Sequence, residues 1–180
     1  RMEDLGDSFD YISLMLYASH YYNGFKVPAD TERGLPALDY MYKSKNAAKV
    51  ASNQPYDVVY RSLLIASDFL AGKDVFAKAT STPTPKGVGV TKPTLPAGSP
   101  TESSGAASVG GAPSKEPPTL PTRPSRAKLR PWLQNFDLAF DTSRGIYYDV
   151  KKVRAQIDAA EAAGASGWLL WNPNNVYTEP

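Results

Sequence analysis

Residues 80–128 hold ten of the chain's 16 prolines and none of its 20 aromatic residues. Written in Pro, Thr, Ser, Gly and Ala, as in Thr82-Pro83-Thr84-Pro85 and Pro117-Pro118-Thr119-Leu120-Pro121, such a stretch cannot bury enough apolar surface to offset the entropy of ordering it. It is expected to be a disordered insertion. Any fold has to be assembled from two separate pieces, residues 1–79 and 129–180. The insertion also accounts for the chain's charge, because its six Lys/Arg against two Asp/Glu give +4, which leaves the other 131 residues at −2 in a chain of net +2. The folded part therefore offers no basic face for a phosphate backbone, and no nucleic-acid partner is expected. The absence of cysteine removes disulfides and thiolate sites, and a single histidine, His20, excludes a multi-histidine metal centre. No metal, cofactor or protein partner is expected. No run approaches 18 apolar residues, so no membrane span is expected in this chain, and no basic-then-apolar leader opens it.

Either side of the insertion the pattern reads strand, helix, then strand, helix, strand. Residues 9–17 form a mostly apolar run ending in Ser19-His20-Tyr21-Tyr22, as a strand covered on both faces would. An irregular stretch with Gly24, Pro28, Gly34 and Pro36 follows. Residues 55–70 then place Val58, Val59, Leu63, Ala66 and Leu70 at helical spacing, with Pro55 suited to the first turn and Gly72 to the end. Residues 129–136 read as a short strand. Asp149 caps a helix with Val150, Val153, Ile157 and Ala160 on one stripe and Gly164 at its close, and residues 167–171 form a last buried strand. Alternating β and α implies a parallel sheet, either doubly wound or a β/α barrel. No glycine-rich phosphate loop follows any strand, which removes the nucleotide-binding doubly wound class. The strand ends favour the barrel, where chemistry sits at the C-terminal ends of strands: Tyr17 with His20, Trp132 with Gln134, and Trp171 with Asn172.

Three motifs in order carry a family resemblance: Asp10-Tyr11-Ile12-Ser13-Leu14-Met15-Leu16-Tyr17-Ala18-Ser19-His20-Tyr21; Arg130-Pro131-Trp132-Leu133-Gln134-Asn135-Phe136; and Val153-Arg154-Ala155-Gln156-Ile157 through Gly167-Trp168-Leu169-Leu170-Trp171-Asn172-Pro173. Together they resemble the C-terminal part of a bacterial family catalogued as domain of unknown function 4015 and named for glycoside hydrolysis. The chain departs from the family at Ala18, where proline is typical, and in the longer loop from about Gly24 to Asn53. The resemblance implies an α/β fold, a partial (β/α)8 TIM barrel of which this chain holds the last three strands, acting on a carbohydrate substrate. A whole barrel needs about 250 residues, so the chain reads as a fragment of one. The family's acidic signature, close to Phe-Asp-Tyr-hydrophobic-Arg-Phe-Pro, is missing; Phe9-Asp10-Tyr11 matches three letters by coincidence.

Glycoside hydrolysis normally needs two carboxyl groups. Only Asp137, after the second strand, is placed to serve as a catalytic acid, against the plainer reading of a solvated loop acid; Asp141, Asp149 and Glu179 are weaker. The substrate-binding residues expected are Tyr17, His20, Trp132, Gln134, Trp171 and Asn172. Trp171 is weighed equally as a core aromatic, and Trp168, of opposite parity, is expected to pack against the helices. Trp132 and Gln134 share a parity and are expected to face the barrel interior. Ser19 has no base fixed beside it and no nucleophile elbow around it. The alternative is a non-catalytic carbohydrate-binding or structural barrel remnant. A carbohydrate substrate and a Pro/Thr-rich spacer favour a secreted or cell-envelope setting.

Overall fold

The computed structural model describes residues 3–73, 75 and 125–177. The expected insertion lies outside them as far as residue 124. Helix α1 (Glu3–Ser8) precedes the first strand pieces, β1 (Tyr11–Ile12) and β2 (Met15–Leu16). A hairpin, β3 (Phe25–Val27) and β4 (Leu38–Tyr40), leads to α2 (Pro55–Leu70). After the insertion come β5 (Lys128–Leu129), β6 (Trp132–Gln134), α3 (Ala139–Thr142), α4 (Val150–Ala162) and β7 (Leu169–Trp171).

The expected strands are present as interrupted runs. β1 pairs parallel with β5 and β2 with β6, and the bonds Arg130 N–H to Ile12 O (3.0 Å) and Trp132 N–H to Leu14 O (2.8 Å) carry the ladder through the gap. β7 joins β6 in parallel, with Trp132 opposite Leu169 and Gln134 opposite Trp171. Leu169 N–H donates to Pro131 O (2.9 Å), but Pro131 has no N–H to return toward residue 167. That missing donor explains why β7 begins at Leu169 rather than at Gly167, whose φ is +111°. The first strand after the insertion begins at Lys128, whose N–H bonds Asp10 O (2.9 Å), and Ala127 N–H before it bonds Gly6 O (2.8 Å).

Both crossover helices cover the same face of the β2-β6-β7 sheet. Leu16 and Leu133 pack there against Val59 and Leu63 of α2 and Val153 and Ile157 of α4, with Trp168 and Leu170 at the margin. Each helix forms where the sequence places its signals: Pro55 opens α2, the Asp149 carboxylate accepts Lys152 N–H (3.0 Å) to cap α4, and Gly72 and Gly164, at φ +73° and +76°, end them. Residues of the other parity, Met15, Trp132, Leu169 and Trp171, lie on the opposite face, where Met15 is 72% exposed.

The stretch expected to be irregular instead forms the hairpin, whose three-residue strands are too short to show a period in the sequence. Phe25 and Val27 bury their side chains against Val58, Ala51 and Tyr148. Gly24 at φ +83° is required, since a Cβ would lie 2.8 Å from Tyr40 O. Arg61 of α2, almost fully buried, donates to Pro28 O and Pro36 O at 2.6 Å each and pins the hairpin loop to the helix. Helix α1, also unforeseen, reaches Ser125 because Gly6 has no Cβ; one there would be 2.7 Å from Ser125 Oγ.

Arg33 from the same loop forks onto Asp68 in the last turn of α2, at 2.8 and 2.7 Å, and also bonds Asp30. The Arg33 hydrogen bonds, with help from Lys73 and against partial burial, hold the Asp68 carboxyl at about 2, below its ordinary 3.8. Its folded value is depressed, so the stabilisation is present above pH 4 and is lost as pH falls toward 2. Asp68→Asn should cost on the order of 1 kcal/mol at neutral pH after solvent screening, with only a small remainder near pH 2, where the folded carboxyl is half protonated. Urea unfolding of both proteins at the two pH values checks this; a penalty that persists undiminished in acid would show that the effect is packing.

Candidate functional site

Three loops leave the C-terminal ends of β2, β6 and β7: the 3₁₀ turn Ala18–His20, the segment 135–138, and the turn at Asn172. A buried amide network ties them together. Gln134 is fully buried; its Nε2 donates to Ser19 Oγ (2.8 Å) and Phe136 O (2.9 Å), and its Oε1 accepts Ser19 N–H (3.2 Å). Gln156 of α4 supplies what the sheet lacks one residue past the end of β2, accepting Gln134 N–H (2.9 Å) and donating to Gln134 O (2.8 Å). Asn172 donates to Asn135 O and accepts Asn174 N–H (2.8 Å), while Asn135 N–H bonds Trp171 O (3.0 Å).

Around this network the aromatic residues form two groups. Tyr17, with its ring buried, meets His20 edge-on at 5.3 Å and Phe136 at 5.4 Å. Burial pushes the Tyr17 phenol upward. His20 is exposed, lies 5.8 Å from Phe136 and stacks on Tyr22 at 5.9 Å. From Tyr22 the row continues to Tyr42 (5.2 Å) and on to Phe140, stacked at 4.7 Å. The second group is Trp132 and Trp171, edge to face at 6.1 Å, with the Trp171 indole 43% exposed.

The carboxylates are engaged with protein. Asp137 is exposed, but its Oδ1 accepts Tyr148 N–H (2.6 Å) and so fixes the loop entering α4. Asp141 is 1% exposed and accepts from Ser52 Oγ (3.0 Å) and from the Arg144 guanidinium. The Tyr148 hydroxyl is buried nearby, and burial, with Asp141 and Asp137 adding to it, raises its pKa well above the usual phenol range. Among the described residues no cluster of three or more His, Asp or Glu could hold a metal ion, and no helix is long and apolar enough to cross a membrane.

Of the residues the sequence singles out, Tyr17 and His20 come together in one ring group, and Trp132 and Trp171 in the other. Gln134 and Asn172 hold the loops from within, their amides bonded to protein. Glu179 lies outside the described residues. Tyr42 and Arg144 join the site from irregular segments and Phe140 from the one-turn helix α3, too short to show a period in the sequence. Gln156 could have been found, since a glutamine beside Val153 and Ile157 on the buried stripe of α4 must have a partner.

Residues 114–177 match the model of a family, domain of unknown function 4015, described as a putative glycosyl hydrolase domain. No curated protein and no solved structure matches the chain. The match takes in β5, β6, α3, α4 and β7, while Tyr17, His20, Tyr22 and Tyr42 fall outside it. The part of the chain that carries Trp132, Asp137 and Trp171 is thus similar to a putative glycosyl hydrolase domain.

Proposed function

We propose that this chain is the substrate-holding C-terminal part of a glycoside hydrolase barrel, its strand ends gripping a polysaccharide or oligosaccharide while the main catalytic carboxylates come from strands upstream. Two features support the barrel: β2, β6 and β7 are sequential parallel neighbours, and both crossover helices lie on one face. The opposite face, with Met15, Trp132 and Trp171, would then be the barrel interior. The observation that carries the reading is Trp171, a half-open indole braced against Trp132 at a strand end, which offers a flat apolar face to the C–H surface of a sugar. His20 and Asp137, both exposed at neighbouring strand ends, supply hydrogen bonds to hydroxyls, and Tyr17 orients His20. Gln134 and Asn172 act by holding the loops.

Asp137 is the carboxylate we assign to the catalytic machinery. A second carboxyl would have to sit about 5 Å away for retention or about 6.5–9.5 Å away for inversion. The alternative reading, a non-catalytic carbohydrate-binding remnant, is favoured by the bond from Asp137 to Tyr148 N–H, which gives that acid a sufficient structural role. Affinity electrophoresis through soluble polysaccharides tests the shared part of both readings. Trp171→Ala should weaken retardation about tenfold, whereas Trp168→Ala, which removes packing against the helices, should lower stability instead. Unchanged migration of the Trp171 variant would sink the carbohydrate reading. Hydrolysis by a protein extended with upstream strands, abolished by Asp137→Asn, would separate enzyme from binder.

A further inference from the structure

We propose that the groove beside Phe140 is a subsite for the carboxylate of a uronic-acid-containing glycan, reached from the strand ends along Tyr22, Tyr42 and Phe140. The inference rests on the carbohydrate reading above and adds a substrate class to it. The groove has a volume of about 340 Å³ and is lined by Lys43, Ser44, Lys45, Phe140 and Arg144, with no acid among them. Arg144 is already matched, because Asp141 and the Tyr42 carbonyl (2.8 Å) take its Nη atoms. The two lysines are different. Lys43 Nζ lies over the Phe140 ring at 5.5 Å, and among the described residues no carboxylate pairs with Lys43 or Lys45. In the adjoining groove, by contrast, Lys26 is tied to Asp39 at 3.1 Å. The groove is therefore lined by two lysines without a paired carboxylate, one of them over an aromatic ring.

That combination selects an anionic ligand with an apolar surface. A hexuronate residue has both, with C–H groups across the ring and a carboxylate on C5. The rings form a continuous contact row from His20 to Phe140, stacked at both ends and edge-on between Tyr22 and Tyr42, which presents an unbroken aromatic border between the strand ends and the groove. A glycan held at the strand ends can thus extend along the row and place a carboxylate between Lys43 and Lys45. Phosphate and sulfate esters share the charge, and the test separates them.

The full chain is titrated calorimetrically with oligogalacturonate and with the same oligosaccharide as its methyl ester, whose rings are alike and whose charge is gone. The acid form should bind about tenfold more tightly, since each exposed ion pair contributes only a few-fold, and the preference should shrink at high salt. Lys43→Gln with Lys45→Gln should abolish the preference and leave binding of the ester intact; Trp171→Ala should weaken both forms alike. Equal affinity for acid and ester, or a preference that survives loss of both lysines, overturns the subsite while the carbohydrate reading stands. Dextran sulfate bound as tightly through the same lysines overturns the assignment to uronate. If neither oligosaccharide binds, the uronate subsite is overturned, while retardation by neutral polysaccharides decides the carbohydrate reading on its own.

Discussion

Gln156→Leu is expected to destabilise the fold by about 3 kcal/mol, more than the loss of its three side-chain hydrogen bonds on the surface would suggest. The sheet explains why. β2 ends at Leu16, opposite Leu133, because the chain turns into the Ala18–His20 segment, so Gln134 stands one residue beyond its strand partner. Its backbone N–H and C=O are both buried, and the Gln156 amide satisfies them as a neighbouring strand would. Leucine fills the same volume and offers neither donor nor acceptor. Two buried peptide groups are stranded at about 1–3 kcal/mol each, less whatever relaxation recovers. Gln156→Glu should be at least as harmful near neutral pH, since a carboxylate can accept from the N–H but confronts the carbonyl. Urea unfolding measures the loss, and faster exchange of the Gln134 amide hydrogen locates it. A midpoint unchanged in Gln156→Leu would mean that the strand end finds another partner. Gln134→Leu attacks the same network from its other end, releasing Ser19 and Phe136, and should cost a similar amount.

The difference between what the sequence reveals and what it hides follows from the range of each interaction. Both crossover helices are legible because their signals are local: Pro55 and Asp149 at the starts, Gly72 and Gly164 past the ends, and Val58, Val59, Leu63 or Val153, Ile157, Ala160 at helical spacing. The three parallel strands are legible as apolar runs, but not their interruptions. Those depend on a proline in one strand failing to meet a carbonyl in the next, and pairing register is not written in either strand alone. Face assignment is legible too: Trp132, Gln134 and Trp171 share the face away from the helices, and Trp168 packs toward them, as parity requires. The hairpin joins strands of only three residues across a long loop, while the contacts of Tyr42 with Phe140 and of Ser52 with Asp141 join segments more than 80 residues apart. No periodic pattern marks them. The sequence-based choice of Gln134 and Asn172 as sugar ligands follows the same logic in reverse. A polar residue at a strand end suggests a ligand contact until its neighbours are known, and here the neighbours are Ser19, Phe136 and Asn135.

Asp141→Ala should have an effect of comparable size on stability and should also reach the site. Asp141 is buried under the ring row and holds Ser52 Oγ and the Arg144 guanidinium, which in turn lies 4.2 Å over the Phe140 ring and donates to Tyr42 O. Breaking a buried ion pair from one side typically costs about 3–5 kcal/mol, because the remaining charge is left without a partner. The Arg144 side chain keeps 22% of its surface exposed and can swing partly into water, which places the expected loss near the lower bound, about 3 kcal/mol. Asp141→Asn retains an acceptor for Ser52 and should lose less. If the stranded charge dominates, adding Arg144→Met to Asp141→Ala should recover much of the stability. If instead the double variant stays as unstable as the single one, the cost lies in the lost Ser52 bond and the space Asp141 filled. The two cases also differ at the site. A stranded Arg144 leaves Phe140 and Tyr42 unsupported, so Asp141→Ala should weaken discrimination between oligogalacturonate and its methyl ester without altering Lys43 or Lys45. Arg144→Met, which keeps an apolar side chain against Phe140, should preserve more of that discrimination than Asp141→Ala does, because the lysines rather than Arg144 carry the charge that is read.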